Sequence, residues 1–138
     1  MWTYLGQEID YVPEEAYGFV YRIDFSDGRY YIGKKNFRTK RKRRFGKREI
    51  AKMTDKRLKK YEIVVKESNW REYNSSSKEV QKLIKDGLSH SKKILHICYH
   101  SKQLTYYEAL EQFKANVLED EKSLNENILN KFHTNVLI

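Results

Sequence analysis

The 138-residue chain is poor in cysteine, proline and glycine, with one, one and six respectively. With Cys98 alone it can form no internal disulfide and offers no thiolate cluster for zinc. Its lone proline, Pro13, falls in an N-terminal stretch of mixed aromatic and acidic residues. No apolar run approaches the roughly eighteen residues that cross a bilayer, and the N-terminus lacks a signal-peptide core. A cytoplasmic protein with no membrane segment is therefore expected. Acidic residues are also scarce: 19 Asp and Glu stand against 28 Lys and Arg, leaving a net charge of +9. A polyanionic partner is the leading expectation. Aromatic residues make up 14%, eleven of them Tyr, and hydrophobic residues 39%, enough for a folded chain rather than a solvated tail. One domain over residues 1–138 is expected, with an arm at 1–16 packed on the body and a basic insertion at 45–66.

Two short alternating runs dominate the first third, Phe19–Phe25 and Arg29–Gly33, separated by Ser26-Asp27-Gly28. A tight Asp-Gly turn between β-prone runs predicts a hairpin. Phe19, Tyr21, Ile23 and Phe25 then share one face, and Val20, Arg22 and Asp24 the other. Tyr21 and Tyr31 fall on neighbouring antiparallel strands. Directly afterwards, Lys34 to Arg48 holds ten basic residues in fifteen positions and no acid. Such a run is ordinarily a solvated face or a disordered linker; Phe37 and Phe45 within it predict that part of it packs.

Further along, Ile50, Met53 and Leu58 fit a short helix, and Tyr61–Val65 a strand. Lys78–Asp86 reads as a helix with Val80, Leu83 and Ile84 on one face, capped by a preceding serine and stopped at Gly87. Ile94–Tyr99 reads as a third strand, with His96 and His100 as ordinary strand histidines rather than metal ligands. Thr105-Tyr106-Tyr107-Glu108 fits a capping box that opens a helix. Tyr106, Leu110, Phe113 and Val117 form that helix's apolar face, and on periodicity alone Glu111 faces water. Val136–Ile138 is a candidate added strand.

The pair Val20-Tyr21, followed by Tyr31-Ile32-Gly33-Lys34, resembles the two motifs of the GIY-YIG nuclease family. The first is imperfect, with Phe19 in place of a glycine; the second is a clean match. The resemblance implies an α/β fold with a small, central three-stranded antiparallel sheet flanked by helices. It implies an arginine about eight positions after Gly33 on the next helix, which is Arg41, with Arg43 or Lys40 if the register slips. It also implies a metal-holding glutamate on a later helix. Glu111 matches that position; Glu108, occupied as a cap in this reading, is the alternative. Asn125 matches an asparagine that follows the glutamate helix. Lys34, Lys35, Lys40, Lys42, Arg43 and Arg44 would touch the nucleic-acid backbone.

What the resemblance implies is a Mg²⁺-dependent DNA endonuclease, with Mn²⁺ as a substitute metal and no small-molecule cofactor. Free-standing phage-type homing enzymes are the relatives it looks like, and a homodimer is compatible with a chain that shows no separate DNA-reading module. Glu111 would hold the metal, Arg41 the nonbridging phosphate oxygens, and Tyr21 would take the proton of the attacking water while Tyr31 orients it, or the two exchange roles. A phenol needs nearby positive charge for that task, since its ordinary pKa is near 10. The alternative is a non-catalytic nucleic-acid-binding module on the same scaffold.

Overall fold

The computed structural model describes residues 1–53 and 59–134. Leu58 of the expected short helix and the candidate strand at Val136–Ile138 lie outside them. The predicted hairpin is its centre: β3 (Gly18–Phe25) and β4 (Tyr30–Asn36) pair antiparallel from Gly18 opposite Asn36 to Asp24 opposite Tyr30. Gly28 takes a φ of +92° in the turn, a conformation that costs a glycine little, and its amide donates to the Phe25 carbonyl.

β7 (His90–Cys98) lies antiparallel on the other side of β3 and completes the expected three-stranded unit. The sheet has five strands, however. The arm adds β1 (Trp2–Tyr4), parallel to β7, and β2 (Gln7–Glu8) outside it, giving the order β2-β1-β7-β3-β4. Trp2 holds the arm in place: it is buried, and its indole Nε1 donates to the Trp70 carbonyl at 2.7 Å.

Two cores follow from the alternation along β3. On one face Phe19, Tyr21, Ile23 and Phe25 pack with Trp2, Phe37, Trp70 and Val80. α2 (Lys78–Lys85) covers this face; the Ser77 side chain accepts from the Val80 amide at its start, and Gly87, at a φ of +87°, ends it as expected. On the other face Val20, Tyr30 and Ile32 meet Cys98, Leu104, Val117, Leu118 and Ile128, beneath α3 (Ser101–Lys114) and the segment after it.

The basic run departs most from expectation. No helix follows β4. After Phe37 the chain continues as β5 (Arg38–Arg44), paired antiparallel with β6 (Tyr61–Glu67) in a two-stranded sheet of its own. The β-branched and aromatic residues Tyr61, Ile63, Val64 and Val65 draw the charged run into a ladder, so its amides cannot make helical bonds. α1 (Lys47–Ala51) comes only after it. A short antiparallel pair, β8 (Asn127–Ile128) and β9 (Phe132–His133), lies near the C-terminal end.

α3 is also turned from the expected direction. It begins at Ser101, with His100 as its N-cap, so Thr105 and Glu108 lie inside it and form no capping box. Tyr106 and Phe113 are exposed, whereas Leu104 and Gln112 are buried. The face that meets the sheet carries polar residues, and apolar periodicity therefore pointed to the wrong side.

Candidate active site

β4 is an edge strand of the main sheet. Its outer backbone groups would face water, but the segment after α3 closes them. The Leu124 amide donates to the Tyr30 carbonyl at 2.8 Å. The Asn125 side chain works as a miniature strand: its Oδ1 accepts from the Ile32 amide at 3.0 Å and its Nδ2 donates to the Ile32 carbonyl at 2.7 Å. The Gln112 amide nitrogen donates to the same carbonyl at 3.0 Å. Asn125 therefore touches the backbone beside Tyr31 rather than offering its polar atoms to a substrate. Asn125→Asp keeps the shape but removes the Nδ2 donor and brings a carboxylate to the Ile32 carbonyl. It should cost about 1–3 kcal/mol of stability, readable as a lowered urea midpoint at unchanged m-value.

This closure leaves a cavity at the β4 edge, lined by Tyr31, Lys34, Glu108, Gln112, Asn125 and Glu126 among others. Tyr31 reaches it from the strand, while Glu108 and Gln112 reach it from successive turns of α3. Lys34 Nζ donates to Thr105 Oγ1 at 3.0 Å, tying strand to helix at the rim. Burial raises the Glu108 carboxyl above its ordinary range, with Lys34 pulling the other way. Among the described residues, Gln112 Oε1 is buried with no hydrogen-bond partner. Glu108, half-buried, and Gln112, whose Oε1 is buried and unpartnered, line this cavity one helical turn apart; oxygen donors of this kind suit a cation such as Mg²⁺ when waters fill its remaining positions.

The two tyrosines are neighbours, with ring centroids 6.2 Å apart. Tyr21 stands directly opposite Gly33, and Tyr31 opposite Ile23. Their surroundings differ. Tyr21 is 1% exposed, wedged between Trp2 and Tyr73 as well as Tyr31. Burial pushes its phenol far above the ordinary value, against a partial lowering by its hydrogen bond to Ser75. Tyr31 is half-buried; burial raises it too, with hydrogen bonding to Ser76 acting in the opposite sense. Ser75 is itself strained, at a φ of +78° and 2% exposed. Lys35 lies over the Tyr73 ring, 4.2 Å from its centroid.

Two expected members lie elsewhere. Arg41, expected on a helix beside the tyrosines, is on β5 opposite Val64, exposed and ten residues along an extended chain from Tyr31. Lys40, Lys42, Arg43 and Arg44 share that strand. Glu111 is held over β7: it pairs with His96 Nε2 at 2.9 Å, and Lys114 approaches at 3.6 Å. β7 and β4 are separated by β3, so the Glu111 anchor is about 10 Å across the sheet from the strand that carries Tyr31. Of the two glutamates weighed on α3, the one that shares the Tyr31 cavity is Glu108, with Glu126 of the following segment also on its wall. Glu111 was expected from the resemblance, and Glu108 was set aside for a capping box that does not form. Gln112, Ser75 and Tyr73 had no signal in the sequence, because each is placed by a partner far along the chain.

Among the described residues no three His, Cys, Asp or Glu side chains form a ready-made metal cluster, and no helix is long and apolar enough to cross a membrane. Comparison with curated proteins and with solved structures returns no match. A family model described as "Putative endonuclease segE, GIY-YIG domain" matches residues 2–132, nearly the whole chain and all five strands of the main sheet. With its two tyrosine strands paired in an α/β sheet, the chain belongs to the GIY-YIG nuclease family.

Proposed function

We propose that this chain is a divalent-metal-dependent DNA endonuclease whose reacting groups meet at the outer edge of β4. The family supports nuclease activity, with DNA as its substrate. One observation supports the metal-dependent reading: Glu108 and Gln112, the latter with an Oε1 that has no partner among the described residues, line the cavity that Tyr31 and Lys34 share. Glu108 and Gln112 would hold Mg²⁺ or Mn²⁺, which when bound would offset the charge that builds on the phosphorus and the leaving oxygen.

The remaining work falls to groups of the chain. Lys34, anchored through Thr105, would hold a nonbridging phosphate oxygen. Tyr31, on the cavity wall, keeps its proton at neutral pH as a phenol ordinarily does, and burial holds it more firmly still; its Oη would accept a hydrogen bond from the attacking water and so orient it. Tyr21 is too deeply buried to touch substrate and acts as a positioning residue under Tyr31. Arg41, far along β5, would contact DNA outside the cavity. A homing role also needs an element that reads sequence, and the β5–β6 ribbon is the available one.

The test is nicking of supercoiled plasmid with Mg²⁺, with Mn²⁺ and with EDTA, over a range of pH. Nicking should need the metal. A cation binds the ionised form of Glu108 and burial favours the protonated form, so the Mg²⁺ concentration needed for half-maximal nicking should rise as pH falls. Tight retention of DNA without cleavage under either metal would leave the non-catalytic binding module in its place.

A further inference from the structure

We infer that the β5–β6 ribbon enters the major groove of double-stranded DNA with one particular face, and that this face selects the sequence near which the chain cuts. The inference rests on the reading that the chain acts on DNA, but its test needs no cleavage.

The ladder decides what each face carries. Lys40 pairs with Val65, Lys42 with Ile63 and Arg44 with Tyr61, and these six alternate onto the same side. Ile63 and Val65 are 51% and 50% exposed, unusual for β-branched residues in a sheet. Lys42 lies over the Tyr61 ring, 4.6 Å from its centroid. The opposite side holds Thr39, Arg41 and Arg43 with Lys66, Val64 and Glu62. There Arg43 is engaged by Glu49 and Glu62, which consume its charge. Among the described residues, Lys40, Lys42 and Arg44 have no carboxylate partner, so one face presents three available cations around two bare aliphatic side chains. Cations suit phosphates or guanine edges, and Ile and Val suit thymine methyl groups. A solvated charged face needs no exposed Ile and Val at its centre.

Size and placement agree. A two-stranded ribbon fits a major groove about 12 Å wide. Seven-residue strands make it about 24 Å long. Its base is fixed to the body: Phe37 is fully buried, its ring centroid 4.9 Å from Phe19 and 5.1 Å from Trp70, and the Ser68 amide and hydroxyl donate to the Phe37 and Asn36 carbonyls. Tyr31 and Lys42 lie on two strands joined only through Phe37, so their separation is at most about 36 Å, close to one turn of B-DNA. The sequence read should therefore lie within about one helical turn of the bond cut.

The experiment selects duplexes from a randomised double-stranded DNA library with the full chain in EDTA, then measures guanine-N7 methylation interference and the salt dependence of binding. Wild type should enrich a motif with interference on the major-groove side. Lys40→Gln/Lys42→Gln/Arg44→Gln should flatten the slope of log K against log salt by about 3. Ile63→Ser/Val65→Ser should keep the slope and lose the motif. Thr39→Ala/Lys66→Gln, on the opposite face, should keep motif and interference pattern, and circular dichroism should show all three variants folded. No enriched motif, a motif unchanged in the Ile63/Val65 variant, or equal affinity for double-stranded RNA would overturn the inference. A selected motif in a chain that never cuts would sink the nuclease reading while leaving the ribbon's role intact.

Discussion

Glu108→Gln should lower Mg²⁺-dependent plasmid nicking by on the order of 10²–10³-fold, the loss typical when a single preorganised charge-stabilising group is removed, while Glu111→Gln keeps most of the rate. The two residues are one turn apart on α3, yet they face different strands. Glu108 lines the cavity with Tyr31 and Lys34; Glu111 is paired with His96, whose ring stacks on Tyr107. A glutamine at 111 can still hydrogen-bond the imidazole, whereas a glutamine at 108 brings no charge to the cation. Stability separates a lost site from a lost fold. A carboxyl whose folded pKa is raised contributes stability below its unfolded pKa that disappears as pH rises through the folded value. At neutral pH the Glu108 charge is therefore a burden on the fold, and Glu108→Gln should melt at or above the wild-type temperature. Activity lost in a protein of undiminished melting temperature would mark Glu108 as part of the site. Full nicking by Glu108→Gln, or lost nicking by Glu111→Gln, would return the role to Glu111.

Gly33→Ala should cost about 3 kcal/mol of stability, at the upper end of the overpacking range, and lower nicking by on the order of 10²-fold through displacement of Tyr31. A β-carbon at position 33 would stand 2.6 Å from Tyr21 Oη, 2.8 Å from its Cζ and 2.9 Å from Tyr31 Cε1. The second motif needs its glycine because the phenol from the neighbouring strand lies across the backbone there. Tyr21 is fully buried against Trp2 and Tyr73 and has little room to retreat. Tyr21→Phe removes the nearest of the three atoms, so the double variant should recover part of the loss. Urea unfolding of the two single variants and the double variant closes the cycle. Strictly additive costs would mean that Gly33 is required for some reason other than the tyrosine above it.

The parts legible in the sequence were those whose causes are local. The Asp27-Gly28 turn and the alternation from Phe19 to Ile32 predicted β3 and β4 and the faces their residues take. Ser77 and Gly87 bracketed α2. The excess of Lys and Arg implied a polyanionic partner, and the paired tyrosine motifs implied the family. Where the reading failed, the deciding partner was distant. β5 is charged at every position but Thr39, with no apolar alternation to betray a strand, and it is extended only because β6 lies about twenty residues on. β1 has three residues and joins β7, some ninety positions away, through the burial of Trp2 under Trp70.

The sequence by itself determined the tyrosine hairpin, the positive balance of charge and the kinship with a nuclease family, because turn chemistry, alternation and composition act through neighbouring residues. Tertiary structure alone decided which acid of α3 shares a cavity with Tyr31 and where the arginines go. The rotation of α3 about its axis is set by how Leu104 and Gln112 dock on β3 and β4, and no pattern within the helix records that docking. It turns Glu108 to the cavity and Glu111 to His96.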